Sequence, residues 1–433
     1  MIEFLQIILS FFVFFLIITV PINIFNSKLL INKKFFSIDV ASFNLILNCN
    51  ILLLLSILPI SLGSYNLFYI FCYLFIFIYI YFIQNYNFNL YKNFILFLSI
   101  FFVVFLIISA NVAVELNLGW DAKYFYYIKA LFFIENQNFS DLNKFTYNDW
   151  HPHLGSYFWA FFWNLMPIKF EYFGRLFYVF LFCFSIFYVC HNNLRDKFIS
   201  HIIFILIILI FYMYERFSGL QEILIFSFLV LLSKYFLLLE DSKNKYYVFF
   251  IILGCNLMIW FKAEGIAYSI ILILLLNFSR SISNKIKIYA NTFYISILVL
   301  KIIIYKTSNI TLNAQPYYLD YILNLDFEFI IYKFKFIISY FFYYALTNVL
   351  FISGIIILFT FNFKKKNDNY IKLLNFYFIF NLIFIFSAYL FRDMEIEFSI
   401  RTTMERIIFT SSGFYVFLIV NFFQRLNKNF LRY

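Results

Sequence analysis

Apolar residues in this chain come in long unbroken blocks, not in alternation. From "EFLQIILSFFVFFLIITV" at the start to "RIIFTSSGFYVFLIVNFF" near the end, most blocks are long enough to span ~30 Å of hydrocarbon as a helix. The blocks predict thirteen transmembrane helices, over 4–22, 41–61, 66–84, 93–113, 171–190, 198–214, 220–239, 246–261, 264–279, 288–304, 345–361, 373–391 and 406–424. Period-two alternation is absent, which argues against a membrane β-barrel. Two stretches between blocks are long, 114–170 and 305–344. The predicted fold is all-α: a polytopic transmembrane helical bundle of about 11–13 helices, with amphipathic interfacial helices in the first long stretch.

Composition reinforces the pattern. The chain is 64% hydrophobic and only 13% charged, with a mean hydropathy of +0.87. An ordinary soluble domain carries about 25% charged residues. The 70 Phe and 36 Tyr do not by themselves mark an aromatic site. Ile, Asn and Lys are abundant too, and all these residues share A/T-rich codons, so Phe is the default apolar residue here. Cys49, Cys72, Cys183, Cys190 and Cys255 lie in or beside apolar blocks without a CxxC spacing, which predicts neither disulfides nor a zinc site. The N-terminal block lacks a basic flank and a small-residue cleavage site, so it is read as a retained helix.

Charge supplies orientation. Alternating the loops puts "KK" at 33–34, Lys243, Lys245, Arg280, Lys285, Lys287 and "KKK" at 364–366 on one side, with few acids. The other side is slightly acidic. This bias obeys the positive-inside rule, so the net charge of +11 reads as topology and requires no nucleic-acid partner. Both long stretches, 114–170 and 305–344, then face outward. The inner loops are short and carry no Gly-rich phosphate cradle, which argues against an ATP-driven pump.

Ionisable residues at helix ends are costly in lipid and are candidates for function. On the outer side they are Asp121 and Lys123; Asp149, His151 and His153; Glu215, Arg216 and Glu222; Lys262 and Glu264; and Arg401, Glu405 and Arg406. Each has a plain structural alternative. Asp121 is a favourable N-cap for an amphipathic helix over 121–135. "HPH" has the wrong spacing for a facing zinc pair, and Pro152 breaks any helix there. Lys262 and Glu264, two apart, cannot meet on one helix, and Gly265 suits a break between spans. Arg406 can simply snorkel at the interface.

Taken in order, "GWDAKYFYYIKA", "HPHLGSYFWAFFW", "SGLQEILIF", "FKAEG" and "TTMERIIF" resemble segments of the polytopic GT-C glycosyltransferases, over roughly residues 91–425. The chain departs from that pattern where His-Pro stands for Tyr-Pro, Glu222 for Asp, and Phe261 and Ala263 flank Lys262. The resemblance implies accessory helices over 1–90 and a transferase domain over 91–433. It implies a polyprenyl-phosphate-sugar donor, a glycan, lipid or protein acceptor, and work at the outer face of a bacterial inner membrane. Asp121 would be the general base. Lys262 and Arg406 would face the lipid phosphate, Glu222 and Glu264 would hold those cations or sugar hydroxyls, and His151 and Asp149 would line the acceptor path. No nucleotide cofactor is implied, and a divalent cation is left open. The alternatives are an O-antigen ligase or polymerase, expected to carry arginines in its first outer loop, where 114–170 has none; and a lipid-linked glycan transporter, expected to show repeated halves and charges at mid-span.

Overall fold

The computed structural model of the protein describes residues 2–20, 38–79, 92–115, 117–145, 149–191, 197–212, 217–311, 326–364, 369–392 and 395–430. Among them the chain is helical and forms no strand, an all-α polytopic bundle. Eight helices are long and apolar enough to cross a membrane, as expected for a multi-pass membrane protein, and shorter apolar helices accompany them. The chain packs as two units. The first holds residues 1–227, 260–262 and 308–310; the second holds 228–259, 263–307 and 311–433.

The first unit is built around α7 (Tyr172–His191), whose residues from Tyr172 to Cys190 are all buried. Against it lie α1 (Ile2–Thr19), α2 (Ile38–Ile57), α4 (Lys92–Val114), α6 (Leu154–Leu165) and α8 (Lys197–Tyr212), while α3 (Leu62–Ile78) packs on α1 and α6. Phenylalanine fills the space between them. Phe14 of α1 meets Phe105, Phe162, Phe177 and Phe180 at ring separations of 5.0–6.2 Å. Buried polar groups are tied down inside this core. Asn44 and Asn48 of α2 donate to the carbonyls of Ile18, Ile17 and Val20, which satisfies the open end of α1. Tyr69 and Tyr73 then turn their hydroxyls toward the Asn48 carbonyl oxygen. The predicted accessory helices thus share one packed core with the long outer stretch.

That stretch is folded rather than loose. Asp121 leads into a π-helical turn, Ala122–Tyr126, that runs on into α5 (Tyr127–Ile134). A single helical turn follows at Leu142–Phe145, and then α6. Twelve residues long, α6 measures about 18 Å, too short to cross ~30 Å of hydrocarbon. Its tryptophan Trp159 packs where Gly174 leaves room on α7 and donates from Nε1 to the Glu171 carbonyl.

The second unit comprises the rest of α9 (Glu222–Ser242), α10 (Tyr246–Phe261) up to Ile259, α11 (Glu264–Phe278), α12 (Asn284–Thr307), α13 (Phe327–Thr347), α14 (Val349–Lys364), α15 (Asn369–Leu390) and α16 (Ile396–Phe430). The turn between α10 and α11 depends on Gly265, because a β-carbon there would collide with the Met258 carbonyl. A close return of the chain is what this glycine permits.

One predicted loop is a helix. The hydropathy pattern assigns 305–344 to an outer loop, yet α13 occupies most of its second half and is itself apolar enough to cross a membrane. Its neighbours explain its place. Lys333 donates to the carbonyls of Leu390 and Arg392 at the end of α15. Tyr340 contacts Glu397 and Arg401 in the first turns of α16. Further on, Phe351 and Phe361 of α14 pack on Tyr415 and Phe422. Helices α13 and α14 therefore track α16 one after the other in the same direction. At 35 residues α16 is about 52 Å long, well over the thickness of the hydrocarbon layer. Its charged first turns accompany α13, and its apolar remainder accompanies α14.

Candidate functional site

The first unit gathers five of the seven candidate site residues, and the route by which it does so starts at Gly119. The Gly119 amide donates to the Ser218 carbonyl at 2.9 Å, so the segment before α9 runs beside the segment before α5. Gly219 adopts φ +86°, a left-handed value suited to glycine, and its open face lies against Ala122 and Trp159. Arg175, fully buried on α7, holds this segment from the other side. It donates to the Phe217 carbonyl at 3.0 Å and forms a two-pronged ion pair with Glu171 at 2.8 and 2.9 Å. Glu222 is thereby delivered as the first residue of α9, three positions past the glycine that faces the helical turn led by Asp121.

Asp121 is half-buried and sits at helical angles, φ −60° and ψ −37°, and its carboxylate makes no capping hydrogen bond. The capping alternative therefore does not describe it. One turn later Phe125 packs on the His151 ring at 4.4 Å, and Trp150 stacks on that ring at 3.7 Å. Burial, together with the positive charges of Lys129 and Lys262, pushes the His151 pKa down to about 3, so the imidazole is neutral at pH 7.

Lys262 opens the turn after α10 and closes on Glu222, with Nζ 2.6 Å from Oε1. Both side chains are at most 10% exposed, so this is a buried ion pair bridging two helix ends. Glu222 is thus the acid that pairs with Lys262 in this structure. His151 feels both members of the pair.

Lys129 is not among the residues that the sequence pattern singles out. It is fully buried on α5 and donates to the carbonyls of Asp149 (3.2 Å) and His151. Burial lowers its pKa to about 7, against the opposing pull of the Asp149 carboxylate. The signal is present in "YYIKA", a lysine just past the tyrosines. Its sequence neighbours give no hint that its Nζ donates to a turn twenty residues away. His153, the second histidine of "HPH", has a structural position. Its Nε2 pairs with Ser56 Oγ at 2.8 Å, and its ring lies among Phe133, Phe139 and Trp260. Among the described residues no group of three or more His, Cys, Asp or Glu side chains is arranged to hold a metal.

Glu264 and Arg406 belong to the second unit and come together there. Tyr268, one turn beyond Glu264, donates its hydroxyl to the Ile407 carbonyl at 3.0 Å. Both charges act on Tyr389, whose hydroxyl pairs with Thr403 at 2.9 Å. Arg406 Nε also bonds the Thr402 carbonyl at 3.1 Å. Glu215 and Arg216 lie outside the described residues.

The first-unit cluster thus combines a half-buried carboxylate, a neutral imidazole, a lysine poised near neutrality and a buried carboxylate–ammonium pair. Such a set can accept a proton and can compensate developing negative charge. No family model, curated protein or solved structure matches this chain.

Proposed function

We propose that the protein is a membrane glycosyltransferase that moves a sugar from a polyprenyl-phosphate carrier to a hydroxyl acceptor at the non-cytoplasmic face of a bacterial inner membrane. The observation that carries this reading is the gathering of Asp121, Asp149, His151, Glu222 and Lys262 in one unit, with Asp121 not serving as a helix cap. The order of these residues along the chain is also that of the GT-C-like segments.

In this reading the Asp121 carboxylate takes the proton of the acceptor hydroxyl. The acceptor oxygen attacks the anomeric carbon, and the bond from that carbon to the phosphate oxygen breaks. The electron pair leaves with the polyprenyl phosphate, and the acceptor gains one sugar. His151, neutral and held between aromatic rings, lines the acceptor path with Asp149. Lys262 offers the phosphate a cation in exchange for its Glu222 partner. The acceptor is a glycan, a lipid or a protein.

The test is Asp121→Asn in native membranes supplied with a radiolabelled polyprenyl-phosphate sugar. Transfer should fall by about 10²–10⁴-fold, the usual worth of general-base catalysis, with abundance and membrane insertion unchanged. Full transfer by the variant rules Asp121 out as the base.

A further inference from the structure

The second unit contains a cavity of about 550 Å³, lined at one end of its helices by the last turns of α9 and α11 and the first turns of α15. It takes no part in the transfer chemistry proposed above. Among the described lining residues the one acid, Glu240, is already engaged: Ser279 and Ser281 both donate hydroxyl hydrogens to its carboxylate. Asn277 is likewise occupied, pairing amide to amide with Asn291 at 2.9 and 3.1 Å. Arg280 and Lys372 supply the positive charge of the lining, and Lys287 stands close by, bonded to the Asn277 carbonyl at 2.7 Å. Among the described lining residues the charge is therefore net positive, around a carboxylate that serine hydroxyls hold in place.

Its other wall is apolar. Phe278 and Phe376 stack at 4.3 Å, and Ile379 completes the lining. Phe278 is 46% exposed, Ile379 50% and Ile383 58%. Phe376, Ile379 and Ile383 are spaced at helical intervals, so an uncovered apolar stripe leads from the cavity along α15. A cationic pocket that opens onto a greasy track matches an anionic head joined to an acyl chain. Basic pockets between transmembrane helices commonly take such headgroups.

We infer that this cavity binds the phosphate headgroup of an anionic lipid, with Arg280 and Lys372 on the phosphate and the acyl chain along Phe376, Ile379 and Ile383. The experiment uses full-length protein in detergent and measures bound phosphatidylglycerol and phosphatidylcholine by native mass spectrometry. Variants are Arg280→Gln with Lys372→Gln, Ile379→Ser, and Lys306→Gln as a control on a different turn. Wild-type protein should prefer phosphatidylglycerol. The double variant should lose at least tenfold in its affinity for that lipid, and the control should lose nothing. Ile379→Ser should weaken phosphatidylglycerol binding, and inorganic phosphate should displace the lipid from neither wild type nor variant. Equal binding by wild type and double variant overturns the site. Inorganic phosphate that displaces bound phosphatidylglycerol as effectively as added phosphatidylglycerol does overturns the lipid assignment in favour of a free anion. Melting temperatures of the glutamine variants close to wild type confirm that a loss is not one of folding.

Discussion

Lysine does an unusual job in this molecule. Lys129, Lys301 and Lys333 are buried, and each turns its ammonium onto backbone carbonyls at a helix end or turn. Helix termini leave carbonyls unsatisfied, and in apolar surroundings no water replaces the missing partner. For Lys129 this has a pH consequence. Its amine titrates near 10.4 in the unfolded chain and near 7 when folded. Between those values the unfolded chain carries the extra proton, so stability rises with pH from about 7 to about 10. His151 acts in the same direction lower down, between its unfolded value near 6.5 and about 3. Thermal melts of solubilised protein should show both rises. Lys129→Met should flatten the alkaline one, and His151→Phe the acidic one. A double-mutant cycle at Glu222 and Lys262 tests their pairing. Either Glu222→Gln or Lys262→Met alone strands a buried charge, with an expected loss of about 3–5 kcal/mol. The double variant should lose much less than the sum, and additive losses would mean the pair is not formed.

At the scale of helices, block lengths locate most elements within a few residues. The block over 246–261 matches α10 end to end, and 171–190 matches α7 to within one residue. Two elements depart further: α16 begins at Ile396, ten residues before the block over 406–424, and α13, "FEFIIYKFKFIISYFFYYALT", mixes charge into an apolar run. Hydropathy cannot distinguish a spanning helix from one lying against the polar end of a longer neighbour. Here the neighbour decides, because α13 accompanies the charged start of α16 and α14 continues in the same direction. The pair then counts as one crossing, and the sidedness of the later helices is unchanged. Topology reporters fused after residues 287 and 372 should therefore report the same side, and one fused after 307 the opposite side. Opposite readings at 287 and 372 would make α13 a separate span.

The whole molecule is two packed units, and the candidate chemistry in each comes from remote parts of the sequence. Among the described residues, eight helices able to cross a membrane and an exposed surface rich in Phe, Ile and Leu call for lipid around the protein. It should stay in the membrane fraction through alkaline carbonate washing and be released only by detergent; release by carbonate would exclude a multi-pass arrangement. Sequence alone determined the all-α class, the approximate bounds of most long apolar helices and the clustering of charge at helix ends. These depend on local properties, the length of an apolar run and the cost of a charge within it. Only the tertiary structure decided which charge meets which. It paired Lys262 with Glu222 across 40 residues, set Lys129 to hold the turn beneath His151, gave His153 to Ser56, and kept Asp121 from capping its helix. Those outcomes depend on how helices pack, and a hydropathy pattern says which faces are apolar without saying which faces meet.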